Sequence, residues 1–159
     1  MFTQFQTAIL NHHASTPSFD GPVTQTLKRT DFESAEREIA NWDGYAETPL
    51  IDFPGLAGKL GIRDLRYKHE GPRFGLGSFK ALGGAYAVLR TVQRELSRSF
   101  GKLTDPADLR RGLYAEHTNA ITLISATDGN HGRSVAWGAA QFHTSCRIYI
   151  HAELSLIHI

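Results

Sequence analysis

Residues 121–150 read ITLISATDGNHGRSVAWGAAQFHTSCRIYI: two short apolar runs separated by a tight turn and a stretch rich in alanine and glycine. AITLISA and CRIYIHA are short, flanked by turn residues and rich in β-branched side chains, so each predicts a strand. HGRSVAWGAAQFH predicts a helix of small residues, entered through the turn TDGN. Strand, helix and strand within about thirty residues make a βαβ unit, whose strands lie parallel and are normally buried on both faces. The expected fold class is therefore α/β, a parallel sheet covered by helices.

Upstream, Phe79, Leu82, Ala85, Tyr86, Leu89, Val92 and Leu96 recur at 3.6-residue spacing and predict a long amphipathic helix, with Ser78 as its N-cap. Arg90, Arg94 and Arg98 form a row on its opposite face. Glu95 stands beside them, and 17 Lys and Arg against 16 Asp and Glu leave a net charge of only +1, so the row reads as a solvated face. That balance also makes nucleic acid and anionic membranes poor partners. DFESAEREIANW predicts a short helix from Asp31, burying Phe32, Ala35, Ile39 and Trp42. PGLAGKLGI suggests a helical turn or two, DLRYKHE a strand, GPRFGLG a turn, and Thr104, Asp105 and Pro106 the start of a helix through ADLRRGLY. Residues 1–30 show neither period and are expected to be irregular, with at most one short strand.

At 159 residues, 41% apolar and 21% charged, the composition is that of a globular protein. The single cysteine, Cys146, excludes an intrachain disulfide and a cysteine-paired zinc site, and at the start of a strand it reads as packing. No secretory leader is evident and no apolar run reaches the ~20 residues of a membrane span, so the expected location is the cytoplasm. The end, HAELSLIHI, leaves an apolar strand and tail with no closing helix, so residues 153–159 are expected to be a non-native tail on a truncated chain.

Two places can carry chemistry. Lys80, at a helix start, lies where the helix dipole disfavours an ammonium and so favours the neutral amine of Schiff-base chemistry. On local context alone a snorkelling surface lysine is the favoured reading. The second place is SATDGNHGRS, a turn from a parallel strand into a helix, where α/β sheets gather free N–H groups around ligands. There Gly129 and Gly132 permit close approach, Asn130 offers donor and acceptor, and Asp128 a carboxylate for proton transfer. Asp128 or Asn130 as a plain helix cap is the alternative. No GxxxxGK[ST] loop, GxGxxG fingerprint or HExxH helix is present, and the histidines show no metal-ligand spacing.

Taken together, GSFKALGGAYA and SATDGNHGRSVAWGAAQF resemble the lysine segment and the asparagine loop of the fold-type II, tryptophan synthase beta-like, pyridoxal phosphate enzymes. The DGNHGRSVAWG and FKALGG forms, with YAETPL at 45–50, are similar to the diaminopropionate ammonia-lyase branch of that family. The resemblance spans residues 25–152 and implies pyridoxal 5′-phosphate as cofactor, with Lys80 as its covalent lysine and a proton carrier. It further implies Asn130, beside Gly129, on the cofactor's phenolate oxygen, and Asp128 as a second acid–base for the opposite enantiomer. The implied protein is a carbon–nitrogen lyase, a homodimer eliminating ammonia from 2,3-diaminopropionate. Residues 1–118 would open its large domain and 119–152 its smaller one. The family's phosphate-binding glycine loop has no counterpart here, so the chain is expected to be a piece that is inactive alone. Another fold-type II lyase, such as a serine or threonine ammonia-lyase, and a non-catalytic α/β ligand-binding module are the competing readings.

Overall fold

In a computed structural model that describes residues 26–127 and 129–152, the elements follow in order as helix α1 (Arg29–Ala40), strand β1 (Leu50–Asp52), helix α2 (Pro54–Leu60) and strand β2 (Arg66–Lys68). A 3-10 turn (Arg73–Gly75), helices α3 (Lys80–Phe100), α4 (Pro106–Arg110) and α5 (Ala115–Thr118), strand β3 (Thr122–Ala126), helix α6 (Asn130–Gln141) and strand β4 (Ser145–Tyr149) complete it. Asp128, most of the irregular segment expected at 1–30 and the expected tail at 153–159 lie outside the described residues. Contacts divide the chain into two units, Met1–Ser34 and Ala35–Ile159. The described part of the first carries the start of α1, with Arg29 paired to Glu33 at 2.9 Å, and Phe32 is exposed there rather than buried.

In the second unit the βαβ expectation holds: β3 and β4 pair in parallel, from Thr122 opposite Ser145 to Ala126 opposite Tyr149. The strands alternate, however. Leu123, Cys146 and Ile148 turn toward the core, whereas Ile124 and Tyr149 are 65% and 52% exposed. The expectation of two buried faces is corrected by this pattern, because among the described residues α6 covers only one side. Gly132 makes that cover close: a Cβ there would stand 3.0 Å from Ile148 Cγ2.

The apolar stripe of α3 forms the floor of the core, where Ala85, Val88, Leu89, Val92 and Leu96 meet Leu109, Val135, Phe142 and Trp42. Burial of such side chains stabilises the fold by roughly 1.5–3 kcal/mol each. The helix ends at Gly101, whose φ of 67° permits the left-handed cap, its N–H bonding to Ser97 O. Its basic row is solvated as expected, Arg98 reaching Glu95 at 2.8 Å. Asp105 caps α4 as expected, its carboxylate accepting from Ala107 N–H at 2.7 Å. Glu38 in α1 accepts both from Trp42 Nε1, at 2.8 Å, and from Arg110.

Two elements differ from the sequence reading. The proline-punctuated TPLIDFP holds a strand, β1, because β2 supplies its antiparallel partner, Ile51 opposite Tyr67. AEHT forms the extra helical turn α5, whose Thr118 is buried. The helix α1 also begins two residues ahead of Asp31.

The chain leading to α3 is anchored by a buried arginine. Arg73, 7% exposed, donates to Glu70 Oε2 at 2.9 Å and Oε1 at 3.0 Å, to Thr48 Oγ1 at 3.1 Å and to Ala46 O at 2.8 Å. Thr48 Oγ1 in turn donates to Glu70 at 2.5 Å. Hydrogen bonding from Arg73 outweighs burial and, with Thr48 and the charges of Arg73 and Lys68, holds the Glu70 carboxyl down at about 2.

Two stability predictions follow from this packing. A Cβ on Gly138 would lie 2.7 Å from Ala85 Cα and 2.9 Å from its Cβ, and a backbone atom cannot swing aside. Gly138→Ala should therefore lower the urea-unfolding free energy by about 1–3 kcal/mol, although alanine is the better helix former. The folded-state pKa of Glu70 lies below its ordinary 4.5, so its contribution is complete above about pH 4.5 and fades as pH falls toward 2. Glu70→Gln should cost about 3 kcal/mol at pH 7, with the gap between variant and parent closing across that window in pH-dependent urea unfolding.

Candidate active site

Lys80 is the first residue of α3, and its side chain is exposed. The residue before the helix is Phe79, itself at helical φ and ψ, rather than Ser78, but Ser78 Oγ accepts from the Lys80 N–H at 3.4 Å, the same two-residue reach by which Asp105 caps α4. Asn130 is likewise the first residue of its helix, α6, with Gly129 as N-cap, and is exposed.

Small residues bring these two starts together. Ser134 Oγ donates to Lys80 O at 2.6 Å, and a Cβ on Gly84 would stand 2.8 Å from Ser134 Cβ. Farther along, Gly138 meets Ala85 and Val88. Contacts thus ascend both helices in the same order, so α3 and α6 run in the same direction and their amino ends lie at one side. The first-turn N–H groups of each helix have no intrahelical acceptor, and both dipoles direct partial positive charge to that side.

Sequence-expected residues Lys80, Asn130 and Gly129 therefore share one end of the helix pair, while Asp128 lies outside the described residues. Space is available beside them: a side chain placed at Gly83, one turn after Lys80, or at Gly129 would meet nothing within 4 Å. Sequence reasoning missed Arg133, whose Nη1 lies 3.7 Å from where a Gly77 side chain would begin, bringing a third polar head to the same end. It also missed Ser134. The only sequence signal for these was the small-residue pattern of Gly84 and Gly138, which permits close helix approach.

A groove of about 630 Å³, lined by Thr91, Glu95, Glu116, His117 and Leu123, runs along another stretch of α3. It holds none of the motif residues; the helix ends, where free polar groups converge, are the better site. Cys146 is half-buried, and that burial pushes its thiol up, in keeping with a packing role. Among the described residues no helix is long and apolar enough to cross a membrane.

The chain is similar to known proteins in sequence and fold. The family model for pyridoxal-phosphate dependent enzymes matches residues 42–156. Diaminopropionate ammonia-lyase of Salmonella typhimurium is 39% identical over 113 residues, 71% of this chain and 28% of that protein. Its namesake in Escherichia coli K12 is 32% identical over 136 residues, 83% of this chain and 32% of that protein. The crystal structure of the Escherichia coli enzyme in complex with an aminoacrylate-PLP azomethine reaction intermediate superposes with a TM-score of 0.63 at 30% identity, covering 82% of this chain and 30% of that one. The chain thus spans about a third of the length of the relatives it matches, and its α/β architecture is that of the fold-type II enzymes. With the family model matched from Trp42 through both motif segments, the chain belongs to the pyridoxal-phosphate dependent enzyme family.

Proposed function

We propose that this chain supplies the cofactor lysine and the asparagine turn of a carbon–nitrogen lyase that uses pyridoxal 5′-phosphate to convert 2,3-diaminopropionate to pyruvate and ammonia. The shared amino-terminal end of α3 and α6 carries this reading. The amine of Lys80, an amide at Asn130, the positive ends of two helix dipoles and open space at Gly83 and Gly129 suit a flat anionic ring joined through a carbonyl carbon. In the same reading, residues 1–118 belong to a large domain and 119–152 open a smaller one. The whole protein works as a cytoplasmic homodimer, and a lone Cys146 suits that reducing compartment.

When bound, pyridoxal phosphate supplies an electron-withdrawing ring that stabilises negative charge at a substrate α-carbon. Lys80 Nζ would be the attachment point of that group, and its amine would serve as the base for the substrate α-proton on the face it approaches. Asn130 Nδ2 would donate to an anionic oxygen of the bound group and so help to orient it. Gly129, without a side chain, leaves room for that approach. Asp128, two residues before Asn130, is the second proton acceptor, for the enantiomer that presents its α-hydrogen on the other face.

Borohydride reduction of the chain mixed with pyridoxal phosphate, followed by peptide mapping, should place the label chiefly on Lys80. Lys80→Ala should abolish that label, and Asn130→Ala should raise the concentration for half-labelling about tenfold, the loss of one charge-assisted hydrogen bond. Labels spread evenly over all the lysines would overturn the reading. In the whole protein, Asp128→Asn should slow pyruvate release from one enantiomer of 2,3-diaminopropionate at least tenfold more than from the other, about 1.4 kcal/mol of selective stabilisation. Equal losses would return Asp128 to a capping role.

A further inference from the structure

Loop 70–79, between β2 and α3, has an unusual backbone. Phe74, Gly75 and Gly77 all lie at positive φ, 51°, 69° and 77°. The glycines adopt this freely, but a phenylalanine there is strained by about 1–2 kcal/mol. Such strain persists only where the surroundings over-determine the conformation, and it concentrates near functional sites.

Two adjacent residues tie it to different segments. Arg73 ties the loop to the segment before β1, through Ala46 O and Thr48 Oγ1, with its guanidinium 5.6 Å from the Tyr45 ring centre. Phe74 ties it to α6, its ring centre 4.8 Å from that of Trp137, with Trp42 and Tyr45 at 6.0 and 6.3 Å. Trp137 stands seven residues after Asn130 on the same rigid helix, and Lys80 follows six residues after Phe74. The two candidate site halves are therefore joined by this loop as well as by the direct Ser134–Lys80 contact.

An apolar side chain in place of Arg73 would hold a loop with less desolvation cost. What the planar fork adds is direction: two bonds to one carboxylate, one to a hydroxyl and one to a carbonyl leave it a single orientation. We infer that Arg73 and Phe74 are positioning residues, which hold the Lys80 amine in register with the Asn130 end of α6. This deepens the reading of Lys80 as the cofactor lysine and rests on it.

The test uses the 159-residue chain, pyridoxal phosphate and borohydride, and reads the labelling of Lys80 relative to Lys28, Lys59 and Lys102 in the same sample. Circular dichroism and melting temperature are recorded for each variant. The parent should favour Lys80 about tenfold or more, and Arg73→Lys and Phe74→Ala, each still folded, should bring that ratio down about tenfold, the scale of a lost orientation. Leu109→Ala, a truncation of a buried α4 residue outside the 70–79 loop, should lower the melting temperature and leave the ratio intact. An even label in the parent overturns the reading of Lys80, and the inference with it. A parent preference that survives in both loop variants overturns the positioning role alone. So does an equal loss of preference in Leu109→Ala, since the ratio would then report only stability. Phe74→Ala keeps the test decisive if the arginine variant does not fold.

Discussion

The close approach of α3 and α6 governs the arrangement of the second unit. At the Gly138–Ala85 crossing there is no room for another methyl group, and at Gly84 the facing side chain is a serine whose hydroxyl bonds the opposite backbone at Lys80. Helices in this contact cannot slide past each other without a clash at one glycine or an unsatisfied hydroxyl at the buried serine. Register along the pair fixes which first turns lie side by side, and so which side chains share their solvent-facing end. The sheet follows from the same contact, because α6 carries the cover for Leu123, Cys146 and Ile148 on its other side.

Around this pair the chain uses polar anchors where an apolar one would not specify direction. Arg73 is held by Glu70, Thr48 and Ala46, and Arg110 by Glu38, which also takes the Trp42 indole N–H. Each draws together segments far apart in sequence, 27 residues for Arg73 with Ala46 and 72 for Arg110 with Glu38. Such contacts contribute through orientation as much as through free energy, since a half-buried ion pair gives back much of its Coulombic gain in desolvation. Their positions, beside the entry to α3 and beneath the end of α1, are where a loop would otherwise be free to choose among several paths.

Much of this was legible in the residues. The βαβ unit and α3 announced themselves because their apolar periods are long or cleanly bounded, and Lys80 and Asn130 because each opens a helix. Strand β1 was not legible: three residues between two prolines, all exposed, become a strand only when Arg66–Lys68 arrives alongside. Arg73 was read as part of a turn, since burial of a guanidinium depends on Thr48 and Ala46, which no local pattern connects to it. Ile124 was expected inside on the strength of an apolar run, and lies outside because the cover on that face is not set by the run itself. The two candidate residues were visible one at a time; that they share an end of the helix pair depended on the small residues Gly84, Ser134 and Gly138, whose meaning is geometric rather than chemical.

Two helices packed side by side and pointing the same way place like partial charges next to each other at both ends. The pair is therefore held slightly above its relaxed electrostatic energy by the packing at Gly84 and Gly138. An anion settling among the first-turn N–H groups would cancel the repulsion at one end, so part of its affinity would be the release of tension built into the fold. Thermodynamic linkage makes the effect mutual: a substitution that lets the helices drift apart weakens the pair and its hold on an anion together, with no change in any group that touches the ligand.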